Sequence, residues 1–158
     1  RERNASFPLE LPYRLINMYS QKGDVVLDPF MGLGTTALAA ILSERNSVGF
    51  EIDKLLKPLL KKILSSIDIV KANSLIYDRY KRHLLFVDDR VKQNKEVKYD
   101  NDHIQCKVMT KQETDLTFHY IKNVELTNEI DKLEFKSNYL LGRRINDMPI
   151  EEKGTLFE

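Results

Sequence analysis

A single cysteine, Cys106, stands among the 158 residues, so no disulfide can form within the chain. No apolar run approaches the roughly 20 residues that a membrane helix requires, and Arg1 to Ser6 hold no apolar stretch of the kind that makes a signal peptide. These absences lead to the expectation of a soluble, intracellular protein of the cytoplasm. The sequence also lacks an initial methionine, and the expectation drawn from this is an excerpt of something longer. His83, His103 and His119 show no metal-ligand spacing among themselves or with Cys106, so no metal is expected.

What is present supports one domain with a real core, since 42% of the residues are apolar, yet the length is short for an enzyme with separate cofactor and substrate regions. Formal net charge is only +1, but it is unevenly spread. Lys plus Arg stand 5 against 7 Asp plus Glu over residues 1–53, 12 against 5 over 54–99, and 8 against 12 over the remainder. A basic middle third fits either a nucleic-acid footprint or a solvated helix face. Arg79, Lys81, Arg82 and Arg90 carry the first reading.

Apolar residues at helical spacing predict a helix over Leu11 to Tyr19, with Pro12 in its first turn and Lys22-Gly23 after its end. Asp24 to Asp28 reads as a strand, Pro29 to Gly34 as a turn, and alanine-rich Thr35 to Leu42 as a helix. Ser47 to Ile52 reads as a second strand, and a helix follows from Lys54, in whose first turn Pro58 is tolerated. This β-α-β order implies parallel strands with helices on the faces. Further on, Ile76, Tyr80, Leu84, Val87 and Val91 would line one face of a helix from about Asn73 to Gln93. Ile104 to Met109, Leu116 to Val124 and Leu133 to Leu140 suggest a small antiparallel appendage, and the residues from Arg143 a loosely held tail. Tyr77, Tyr80, Phe86, Phe118 and Tyr120 are expected in the core rather than as base-stacking platforms.

The stretch that carries chemistry is Asp28-Pro29-Phe30-Met31-Gly32-Leu33-Gly34-Thr35-Thr36, between a strand and a helix. Two glycines one residue apart allow a sharp turn and the approach of a ligand to the main chain, although ordinary turns use the same pattern. Ala37 occupies the place of the third glycine of a dinucleotide motif, and no Gly-Lys-Ser/Thr phosphate loop is present. Glu51 closes the second strand, where a carboxylate can accept hydrogen bonds from both hydroxyls of a ribose or simply meet solvent.

Asp28 to Thr36 resembles the Asp-Pro-Phe-x-Gly-Ser-Gly-Thr-Thr motif of the DNA methyltransferases that modify exocyclic amino groups. Gly49-Phe50-Glu51-Ile52-Asp53 resembles that family's next motif, and Arg3 to Pro8 the motif that precedes the cofactor loop in members with permuted order. The resemblance covers residues 3 to about 66. It implies an α/β, Rossmann-like fold in part, with residues 1–67 as the portion that binds S-adenosyl-L-methionine (SAM) and 68–158 as a helical and β appendage. It also implies that Ser6, Phe7 and Pro8 lie along the methionine part of SAM, with Thr35 and Thr36 near its carboxylate. Asp28, Pro29, Phe30, Gly32 and Gly34 would form the loop beneath it, Glu51 would hold the ribose, and Ile52 with Asp53 would flank the adenine. Leu33 stands where the family has serine and Arg3 where many members have histidine.

The family's catalytic tetrapeptide, Asp-Pro-Pro-Tyr or a close variant, has no match; Glu10-Leu11-Pro12-Tyr13 comes nearest and reads as a helix start. The resemblance therefore implies a DNA methyltransferase lacking its catalytic segment here, completed by an N-terminal half or a second polypeptide and acting on duplex DNA. The alternatives are a non-catalytic SAM- or DNA-binding subunit, a degenerate relic, or an RNA methyltransferase, which the basic middle segment also fits.

Overall fold

The structure, a computed structural model, describes residues 7–130 and 132–142. Arg3 and Ser6, and the expected tail from Arg143, lie outside the described residues. Helix α1 (Glu10–Tyr19) leads to strand β1 (Val25–Asp28), helix α2 (Thr35–Leu42), strand β2 (Asn46–Gly49) and helix α3 (Leu56–Ser65). The long helix α4 (Ile69–Lys92) follows, then strands β3 (Tyr99–Asn101), β4 (Cys106–Val108), β5 (Phe118–Asn128) and β6 (Glu134–Gly142). Contacts divide the described chain into two units: 7–68 with 123–130 and 132–138, and 69–122 with 139–142.

In the first unit β1 and β2 pair in parallel, Val25 opposite Asn46 through Asp28 opposite Gly49, with α2 as the crossover between them. Alanine makes this crossover compact: Ala37, Ala39 and Ala40 are all buried, so α2 packs closely on α1 and β2. The helix α1 is amphipathic, placing Tyr13 and Ile16 inside. Its end is tied to the crossover by Arg45, whose Nε donates to Ser20 Oγ at 3.0 Å and whose guanidinium also donates to Ser20 O. Pro58 falls in the first turn of α3, where its missing N–H costs nothing.

In the second unit Tyr80, Ile104 and Val108 are buried together, with Leu84, Tyr99, Cys106 and Phe118 packed against them. Two buried asparagines organise the backbone around this core. Asn73 on α4 donates to Ile121 O at 2.9 Å and accepts from Ile121 N at 2.8 Å, replacing a ladder partner for β5. Asn101 donates to the carbonyls of Glu113 and Leu116 and accepts from the amides of His103 and Ile104. The strands β3 and β4 are antiparallel. The pair β5 and β6 runs the same way, since Thr127 meets Glu134 and Asn123 meets Asn138. Among the described residues no helix is long and apolar enough to cross a membrane.

Several elements differ from the expectation. α4 starts four residues before Asn73, and the buried Ala72 carries its covered face to that side. At its other end Val91 is exposed and, of the aromatics expected inside, so is Phe86. Ile104 is buried in the turn between β3 and β4 rather than in a strand, and β3 had no periodic signal to announce it. β2 ends at Gly49, short of Ile52, because the chain turns just beyond it at residues that belong to the site.

Candidate functional site

The turn after β1 and the turn after β2 are held as one object at the carboxyl edge of the parallel pair. Phe50 N–H donates to Asp28 O and Met31 N–H to Phe50 O, each at 2.9 Å, carrying the ladder one residue past each strand. The Asp28 carboxylate accepts from Phe30 N–H at 3.0 Å, starting the turn as an Asx motif. Gly34 N–H then closes on Met31 O at 2.9 Å, and Leu38 N–H donates to Gly34 O in the first turn of α2.

Glu51 joins the two turns through its carboxylate. One oxygen accepts from Gly32 N–H at 2.9 Å and the other from Asp53 N–H at 2.8 Å. Each oxygen is left with a further lone pair, so the group keeps acceptor capacity after it has oriented both loops. This double role was not legible in the sequence, where Glu51 read as a strand end facing ligand or solvent. The signal that could have found it is the proximity that parallel pairing imposes on the residues just past Asp28 and Gly49.

The three glycines of the site are required for different reasons. Gly34 has φ +79°, and a Cβ there would lie 2.5 Å from Leu60 Cδ1 of α3. Gly49 has no unusual φ but packs under Met31, whose Cε would be 1.7 Å from a Cβ. Gly32 has φ +55° and open space, with nothing nearer to a Cβ than Phe30 O at 4.0 Å. Only at Gly32 is the room above the main chain free for another molecule.

Around this frame the apolar side chains are displayed outward. Ile52 is 97% exposed and Phe30 88%, and Phe7, Pro8 and Pro29 are also exposed. Thr35 and Thr36 are partly buried at the start of α2, whose first N–H groups have no acceptor within the helix. Asp53 is partly buried, and its carboxylate accepts from Leu55 N–H at 3.0 Å, leading into α3. The hydrogen bonds thus bring Asp28, Phe30, Gly32, Gly34, Glu51 and Asp53 into one frame, while Ser6 falls outside the described residues. The histidines and Cys106 form no candidate metal cluster among the described residues. Burial pushes the Cys106 thiol up, with Glu113 adding to the effect, so it is a poor nucleophile near neutral pH.

A parallel β-α-β unit with a glycine turn after its first strand and a carboxylate after its second defines a class, the α/β modules that hold a ligand at the carboxyl edge of the sheet. A family model described as DNA methylase matches residues 2–62. The matched segment takes in the motif residues Asp28 to Thr36 and Gly49 to Asp53, so its similarity is to the family that the motifs led us to expect. The type II methyltransferase M.MthZI of Methanothermobacter thermautotrophicus is 41% identical over 120 residues, 76% of this chain and 32% of its own length. The type II methyltransferase M.MjaI of Methanocaldococcus jannaschii is 62% identical over 60 residues, 38% of this chain and 20% of its own. Among solved structures, a putative DNA modification methylase from Thermus thermophilus, complexed with SAM, shares 50% identity over 35% of this chain and 23% of its own, with a TM-score of 0.35. The chain thus spans about a third or less of the length of the curated relatives it matches.

Proposed function

We propose that this chain supplies the SAM-binding portion of a DNA methyltransferase that modifies the N6 of adenine or the N4 of cytosine in duplex DNA, in a restriction-modification setting. The observation that carries the reading is the Glu51 carboxylate, clamped to Gly32 and Asp53 within two segments that match the family. SAM presents a diol, a zwitterion and a flat apolar ring, and the residues present fit each of these. Glu51 has lone pairs left for the ribose hydroxyls, Thr35, Thr36 and the first turn of α2 suit a carboxylate, and exposed Ile52 beside Asp53 suits the adenine. Ser6, Phe7 and Pro8 would lie along the methionine part, and Asp28, Pro29, Phe30, Gly32 and Gly34 form the loop beneath it. When bound, SAM supplies an electrophilic methyl group; the work of these residues is to bind and orient it.

In this proposal residues 1–67 are the cofactor-binding portion of a Rossmann-like methyltransferase sheet and 68–158 an appendage. The catalytic and target-recognition segments belong to an N-terminal half or a second polypeptide, as in the permuted members of the family. Exposed apolar residues support this. Val25, Leu27 and Val48 on one face of the parallel pair, and Leu11, Leu15 and Met18 on α1, lie open among the described residues.

Calorimetric titration of the chain with SAM, beside Glu51→Ala, tests the cofactor reading. We expect binding that weakens at least ten-fold in the variant, since both an acceptor and the clamp on Gly32 are lost. Absence of binding by a chain shown to be folded overturns the reading of a preformed cofactor site.

A further inference from the structure

Five residues of α4 that carry cationic or aromatic groups share one stripe. Arg79, Arg82, His83, Phe86 and Arg90 recur at steps of three, one, three and four residues. On a helix with 3.6 residues per turn these fall within an arc of about 100°. The acids of the same stretch, Asp78, Asp88 and Asp89, fall outside that arc. Two of them are engaged along the helix: Asp88 pairs with Lys92 at 2.6 Å, and Asp89 accepts from Gln93 at 2.7 Å. Lys81, which the sequence grouped with the arginines, lies on the far side.

The stripe is also organised. Phe86 is 46% exposed, contrary to the core position expected for it. The Arg90 guanidinium carbon lies 5.7 Å from its ring centroid and the His83 ring 6.4 Å away, tilted by 38°. His83 Nε2 is 2.9 Å from Lys107 O, which fixes the imidazole. Arg90 Nε is sheltered and meets no acceptor among the described residues. A guanidinium laid on an aromatic face is pre-oriented, so it gives up less freedom on meeting an incoming anion than a freely solvated one does.

We propose that this stripe binds the phosphate backbone of duplex DNA. Charge complementarity selects the occupant: the stripe is acid-free and belongs to the segment with 12 basic against 5 acidic residues, in a chain of net charge only +1. Arg82 and Arg90 are eight residues apart, about 12 Å along the axis, which is close to the ~12 Å width of the major groove. Phosphates flanking one groove are thus within the span of the pair. The inference rests on the proposed DNA substrate and deepens it by naming where the backbone is held.

The test is the salt dependence of binding of the full chain to a 20-base-pair duplex, by fluorescence anisotropy. Arg82→Gln with Arg90→Gln is compared with Lys81→Gln with Lys92→Gln, which removes equal charge from the far side. Each lost phosphate contact lowers the slope of log K against log salt by about 0.9 and affinity at ~0.1 M salt roughly eight-fold. We expect the stripe pair to lose about 1.8 from the slope and roughly 60-fold in affinity, with the control pair close to the parent. Equal losses in both pairs, an unchanged slope in the stripe pair, or no duplex binding by the parent would overturn the proposal. SAM titration of the same samples separates this from the cofactor reading: SAM binding with any of those three outcomes sinks the stripe alone, whereas stripe-specific loss without SAM binding sinks the cofactor reading alone.

Discussion

Glycine at two neighbouring positions does two separable things, and substitution distinguishes them. At Gly34 a Cβ meets a left-handed φ and the buried Leu60, so Gly34→Ala combines a backbone cost of about 1–2 kcal/mol with displacement of a core side chain. At Gly32 only the backbone cost applies, because the space is open. We expect thermal denaturation to show Gly34→Ala destabilised by roughly 2–4 kcal/mol and Gly32→Ala by about 1 kcal/mol. The order reverses in SAM titration if the open space is where the ligand lies: Gly32→Ala then loses the larger share of affinity per unit of stability lost. The two glycines were legible in the sequence as a turn, but their different neighbours were not, because Leu60 comes from an element 26 residues away.

At the scale of elements, β5 carries the clearest link between packing and pH. Tyr120 is 6% exposed, and Gly142 on β6 leaves room for its ring: a Cβ there would stand 2.0 Å from Tyr120 Cε2. Burial, with the Tyr80 and Tyr77 hydroxyls adding to it, pushes the Tyr120 phenol up to about 12. An unfolded tyrosine titrates near 10. Below that value both states hold the proton and the contribution of the group is fully present. Between about 10 and about 12 the unfolded state binds fewer protons than the folded one, so stability falls as pH rises. Melting followed from pH 8 to pH 12 should show this loss, and Tyr120→Phe should remove part of it; an identical pH profile in the variant would mean that the phenol is solvated. Burial raises Tyr80 too, whose hydroxyl donates to Ile104 O at 2.7 Å, so a residual slope is expected. The helix and strand identities here follow from periodicity. The early start of α4 and the exposure of Phe86 do not, because they depend on which neighbours cover each end of the helix.

For the molecule as a whole, the exposed apolar face of the parallel pair has a consequence that can be measured. Val25, Leu27 and Val48 lie on it, while the alternate residues Val26, Asp28, Ser47 and Gly49 are partly covered. A two-stranded sheet also leaves an edge on each strand. Light scattering should therefore show self-association that rises with concentration, and Leu27→Ser with Val48→Thr should reduce it with a stability change under about 1 kcal/mol. If the proposed second polypeptide completes the sheet, the same two substitutions should instead weaken that assembly. A stability loss of several kcal/mol in the isolated chain would mean that the face is buried after all.

The β-α-β order, the motif residues Asp28 to Thr36 and Gly49 to Asp53, and the local excess of basic charge were settled by the sequence alone. Local propensity, turn chemistry and spacing act over a few residues, and each is written into adjacent positions. What tertiary structure decided is which of those residues meet. Parallel pairing of β1 with β2 brought the Glu51 carboxylate to Gly32 N–H across 19 positions of chain. Packing around α4 left Phe86 outside with Arg90 over its ring. Both outcomes depend on contacts between segments far apart in sequence, and periodicity within one segment carries no record of its neighbours.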